Sequence, residues 1–198
     1  MFIQGIDGQL EAIIESDQAN QDFVILCHPH PQYGGSMHDG VVAILARSFA
    51  GRGVNSLRFN FRGVGASEAT FDKGKGETMD VLSVINWCAA QYPDAGLYVA
   101  GYSFGAIMVI NALQQIRPEI QLKGSVLVAP PTQMLQQPPE VNYPLLVIAG
   151  RQDAIVELAN AETAFGADKV RVIDDCDHFF AGKDTQITHF VEEFIDAT

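Results

Sequence analysis

The chain has 198 residues, 47% of them hydrophobic and 18% charged, which is enough apolar material for one compact domain with a substantial core. Its formal net charge of −12 repels nucleic acid and anionic membranes, and the twelve Lys and Arg residues are scattered rather than gathered into a basic patch. Apolar runs stop well short of the ~20 residues that span a bilayer, and the first residues lack the basic-then-apolar layout of a secretory signal.

In chain order, residues 2–5 and 9–15 read as a hairpin turning at Asp7-Gly8. Residues 23–27 form a short buried strand, followed by a Pro/Gly-rich loop that runs to Asp39. Residues 41–50 read as a helix ended by Gly51 and Gly53, 56–61 as a strand, and 62–67 as a glycine-rich turn. An amphipathic helix over 77–91 stops before Pro93, and the strand 97–102 leads straight into a helix over 104–116. Strands at 125–129, 145–149 and 169–173 then alternate with helices at 156–165 and 185–195. Such alternation predicts an α/β fold in which a mostly parallel sheet is covered by helices on both faces. Residues 129–143 interrupt it with four prolines and little apolar periodicity, so a surface loop is expected, with Met134 and Leu135 on the rim of any site beneath it. The helix, strands and loop already fill the chain between Ser103 and Asp153. A single domain, 1–198, with no lid domain is therefore expected.

The chemistry concentrates at Gly101-Tyr102-Ser103-Phe104-Gly105. A Gly-x-Ser-x-Gly between a strand and a helix is a nucleophile elbow, in which the turn is so tight that only glycine fits two residues to either side of the serine. A serine hydroxyl is a weak nucleophile and needs a base, and the base needs an orienting group. With this elbow, the partners follow in the order Ser, Asp or Glu, His. Asp153 follows the strand that ends near Ala149, and His178 follows the strand that ends at Ile173, so both fall beyond the C-terminal ends of strands, where open parallel sheets place their ligands. Ser103, Asp153 and His178 are accordingly expected to form one triad. Taken alone, Asp153 reads equally as a cap for the helix that follows it. His28, His30 and His38 precede the serine, against the expected order, and His189 lies among apolar helix residues as a surface position.

Together these motifs resemble the α/β-hydrolase superfamily, and the likeness covers nearly the whole chain. More narrowly, the chain is similar to a compact, lidless bacterial group of hydrolases. That group carries His-Pro-His-Pro and Gly-Gly-Ser-Met, here His28–Pro31 and Gly34–Met37, and Arg-Phe-Asn-Phe-Arg-Gly-x-Gly-x-Ser, here Arg58–Ser67. The resemblance implies a serine hydrolase acting on carboxylic esters or thioesters of small acyl groups through an acyl-enzyme, with no cofactor. Acyltransfer or peptide cleavage on the same triad, or mere ligand or partner binding, are the alternatives. It also implies that the backbone N–H of Phe104 helps hold the oxyanion. The second donor is expected from the loop after the strand 23–27. Proline has no N–H, so between positions 29 and 31 only His30 can donate, with Gln32 and Tyr33 as competitors.

Other motifs read as structural. His28, His30, His38 and Asp39 are residue types that bind zinc, but they match no compact ligand spacing, and no metal is expected. Arg62-Gly63-Val64-Gly65 resembles a nucleotide loop without its third glycine, so it reads as a tight turn with Arg62 in an ion pair. Cys27, Cys88 and Cys176 cannot all pair and form no metal doublet, which suits a reduced, cytoplasmic setting. The expected partner is a small-molecule substrate, with neither nucleic acid nor membrane.

Overall fold

The computed structural model describes residues 1–16, 21–135 and 137–198. Its strands are β1 (Phe2–Gln4), β2 (Gln9–Glu15), β3 (Phe23–Cys27), β4 (Asn55–Phe59), β5 (Leu97–Tyr102), β6 (Leu122–Val128), β7 (Leu145–Gly150) and β8 (Val170–Ile173). Its helices are α1 (Gly40–Ala50), α2 (Lys75–Gln91), α3 (Phe104–Leu113), α4 (Leu158–Phe165) and α5 (Asp184–Asp196). The strands form one eight-stranded sheet in the order β1-β2-β4-β3-β5-β6-β7-β8. β1 and β2 are antiparallel and so are β2 and β4; from β4 to β8 every pairing is parallel.

The sequence dictates this layering. In β3, β5 and β7 every residue is buried, because helices cover both faces and there is no solvent side to alternate with. One apolar layer joins α1 and α5 to the sheet through Val42, Leu45, Phe49, Ile187 and Val191. The other seats α2, α3 and α4 through residues such as Val81, Ile85, Ile107, Ala161 and Phe165.

Several boundaries differ from the sequence expectation for identifiable reasons. β4 stops at Phe59 because Phe61 gives its N–H to the His28 ring instead of to a strand. α3 stops at Leu113 because the Gln115 N–H turns to the Ala112 carbonyl while its side-chain amide takes the Asn111 carbonyl that the next helical bond would use. α4 starts at Leu158 because the preceding turn is tied up by the Asp153 side chain. Arg62 forms the expected ion pair: its Nη2 lies 2.7 Å from Asp80 on α2, its Nη1 2.8 Å from Asp7 in the hairpin turn. Arg62 and Asp80 are both almost fully buried. This pair ties the hairpin, the turn after β4 and α2 together, and with its partners in place it has no role left for a phosphate.

Candidate active site

The C-terminal ends of β3, β5, β7 and β8 converge on a cleft of about 390 Å³. Ser103 sits at the sharp turn between β5 and α3 with φ 53° and ψ −119°, left-handed backbone that non-glycine residues rarely adopt. Its flanking glycines are required by contact rather than by flexibility. A Cβ at Gly101 would lie 2.6 Å from the carbonyl carbon and oxygen of Gly105. One at Gly105 would lie 2.4 Å from the Cys27 carbonyl oxygen and 2.5 Å from that of His28, at the end of the neighbouring strand.

All three residues expected as a triad meet here. Ser103 Oγ lies 2.9 Å from His178 Nε2, and His178 Nδ1 lies 2.7 Å from Asp153 Oδ2. The other carboxylate oxygen, Oδ1, accepts the N–H groups of Ile155 and Val156, both at 2.8 Å. Capping and orienting are therefore both true of Asp153, one oxygen for each, although the capped element is a turn and not α4. Burial pushes the Asp153 carboxyl up, but the hydrogen bond from His178 and the two backbone N–H groups outweigh it and hold the group below its ordinary range. An ionised carboxylate at Oδ2 fixes the proton on Nδ1, which leaves the Nε2 lone pair facing the serine hydroxyl.

The loop after β3 is held by its histidines. His28 is fully buried, with Nδ1 2.6 Å from the Pro29 carbonyl and Nε2 3.0 Å from the Phe61 N–H. A carbonyl can only accept and an N–H can only donate, so His28 is a neutral ring protonated at Nδ1. Burial pushes its pKa down to about 4. Within this loop the Gln32 N–H donates to His30 Nδ1, and the Tyr33 N–H donates to the His30 carbonyl. The two competitors for the oxyanion are thus engaged. The N–H groups of His30 and Phe104 have no acceptor among the described residues.

Two contributors were not expected in the cleft from the sequence. Tyr102, next to the serine, donates its hydroxyl to the His178 carbonyl at 2.7 Å, and its ring lies 5.6 Å from the imidazole. Asp39 lines the cleft as well as capping α1. Met134 lines the cleft as expected, while Leu135 turns to a neighbouring depression between α2 and α3. His189 is an exposed α5 residue beside Glu193, far from the cleft in topology. All three cysteines are unpaired and buried. Among the described residues no group of three or more His, Cys, Asp or Glu side chains is placed to hold a metal ion, and no helix is long and apolar enough to cross a membrane.

A family model described as "Serine aminopeptidase, S33" matches residues 18–138. The chain belongs to that family. It also shares 30% identity with an α/β serine hydrolase homologue from Coxiella burnetii, over 98% of this chain and 95% of the other, with a TM-score of 0.87. A serine hydrolase without a lid from Xanthomonas campestris is 30% identical as well, over 100% of this chain and 93% of the other, with a TM-score of 0.86. An uncharacterised protein of Rickettsia prowazekii is 27% identical, over 98% of this chain and 87% of its own length. This family member is thus an α/β serine hydrolase of the lidless kind, in agreement with the sequence resemblance.

Proposed function

We propose that the protein cleaves carboxylic esters or thioesters of small acyl groups through a covalent acyl-enzyme formed on Ser103. The observation that carries this reading is the unbroken line from Ser103 Oγ through both nitrogens of His178 to Asp153, at 2.9 and 2.7 Å. In the first half-reaction His178 Nε2 takes the serine proton as Oγ attacks the carbonyl carbon, and the resulting imidazolium protonates the leaving alcohol or thiol. In the second, water gives a proton to Nε2 as it attacks the acyl-enzyme, and Nε2 hands that proton to Ser103 Oγ as the Oγ–acyl bond breaks, which releases the acid and regenerates the serine.

The negative charge that builds on the carbonyl oxygen is met by the backbone N–H groups of Phe104 and His30. Both lack any other acceptor among the described residues, as groups kept for a transient anion should. Each donor of this kind is worth roughly 3–4 kcal/mol in rate. With no lid over it, the cleft takes a substrate without a closing step.

Labelling with a fluorophosphonate probe tests the proposal. Stoichiometric modification at Ser103 is expected, abolished by Ser103→Ala and strongly slowed by His178→Ala. Folded protein that resists the probe, with no turnover of 4-nitrophenyl esters, acyl-thioesters or amides, overturns it.

A further inference from the structure

Asp39 presents an ionic group inside the cleft for which the proposed chemistry has no use. Its Oδ1 accepts the N–H groups of Val41 (2.8 Å) and Val42 (3.4 Å) at the start of α1. Asparagine would cap a helix as well as aspartate does, so the negative charge exceeds what capping needs. Oδ2 receives no hydrogen bond from any described residue, no Lys or Arg lines the cleft, and Asp39 makes no ion pair among the described residues. The charge is felt inside the site: burial first, then Asp39, Asp153 and Asp177, keep the Tyr102 hydroxyl un-ionised. Burial also holds the Asp39 carboxyl above its ordinary range, the mark of a carboxylate without a counter-charge.

Aromatic residues share this cleft with the carboxylate; of them Tyr102 and Phe104 are buried. His30, Tyr33, Tyr102, Phe104 and Phe179 line the same cleft, with Tyr33 88% and Phe179 70% exposed at its mouth. Aromatic faces and one unpaired carboxylate are the combination that attracts an organic cation, by cation–π contact and by charge. The protein's net charge of −12 adds a long-range field of the same sense.

We propose that this cleft selects amphiphilic substrates bearing an ammonium group, protonated or quaternary, seated between Asp39 and the aromatic mouth while the carbonyl meets Ser103. This rests on the ester-hydrolase reading above and narrows it, because polyanionic acyl carriers are disfavoured at the same surface.

The test uses the purified full chain and three 4-nitrophenyl esters of matched shape: 4-(trimethylammonio)butanoate, its uncharged carbon isostere 5,5-dimethylhexanoate, and the anionic hemiglutarate. The expected kcat/KM is about tenfold higher for the cation than for the isostere, the size of one partly exposed charge contact joined to one cation–π contact. The anion should be slowest, and salt should shrink the advantage. In Asp39→Asn, which keeps an N-capping side chain, the cation-to-isostere ratio should fall about threefold or more, to what the aromatic contact alone supplies. A ratio of one or less in the parent, or a preference undiminished in Asp39→Asn, overturns the proposal. If none of the esters turns over, the hydrolase reading fails and cation binding is read separately. Saturation-transfer NMR with phenyltrimethylammonium against tert-butylbenzene then decides: a cation-selective signal weakened in Asp39→Asn supports the site, and equal, absent or unchanged signals overturn it.

Discussion

Asp153→Asn is the most diagnostic single substitution, because the surroundings of residue 153 dictate how an amide must sit. Oδ1 is pinned by the Ile155 and Val156 N–H groups, both at 2.8 Å, and donors can be met only by an acceptor. The asparagine oxygen must therefore take the Oδ1 position and place its NH₂ where Oδ2 stood, 2.7 Å from His178 Nδ1. Two donors cannot face each other at that distance, so the imidazole moves its proton to Nε2 and offers Nδ1 as acceptor. Nε2–H then confronts Ser103 Oγ at 2.9 Å and has no lone pair with which to accept the serine proton. Loss of a correctly protonated base is expected to lower kcat about 10³–10⁴-fold, or roughly 4–5.5 kcal/mol of activation free energy. The two backbone hydrogen bonds survive, so the fold should hold. Steady-state hydrolysis of a 4-nitrophenyl ester, with circular dichroism as the folding control, reads both effects. A folded variant within about tenfold of the parent kcat would falsify the tautomer argument and with it the role given to Asp153.

Three further outcomes follow from the geometry. His28 stays neutral in the fold down to about pH 4 but titrates near ~6.5 when unfolded, so the unfolded chain gains a proton that the fold refuses; stability should fall between those limits by roughly 3 kcal/mol, visible as urea midpoints that drop from pH 7 to pH 5 less steeply in His28→Gln. Tyr102→Phe leaves the buried His178 carbonyl without its donor; about 1–2 kcal/mol of stability should go, with a lower kcat and little change in KM, and unchanged kcat and melting would refute the positioning role. Gly105→Ala forces a methyl against the Cys27 and His28 carbonyls, which are backbone and cannot swing aside; about 3 kcal/mol of destabilisation is expected by chemical denaturation, and a neutral result would show that the β3–α3 contact is slack.

The layers of the fold were legible because burial on two faces leaves a plain mark: the continuous apolar runs of β3 and β5 matched their strands residue for residue. The convergence of Ser103, Asp153 and His178 was legible for another reason, since chain order and strand ends fix where the loops go. What the sequence concealed was set by partners distant along the chain. Nothing near Tyr102 announces that its hydroxyl reaches residue 178, and nothing near Phe61 says that its N–H leaves the sheet for His28. Asp39 was visible only as a loop end and a candidate metal ligand, because its place in the cleft depends on how α1 docks against the sheet. Nor does the sequence show that the Gln32 and Tyr33 N–H groups are used within the loop, which is what favours the His30 N–H as the proposed second oxyanion donor.

The dihedrals of Ser103 set the fold against the chemistry. Backbone held in so sparsely populated a region costs on the order of 1–3 kcal/mol, and the sheet and α3 must supply that amount for the hydroxyl to project into the cleft. Glycine would rest at those angles without the penalty but would bring no oxygen to attack with. Selection for thermal endurance alone would therefore erode the nucleophile, and a lineage that no longer needed turnover could grow sturdier by giving it up.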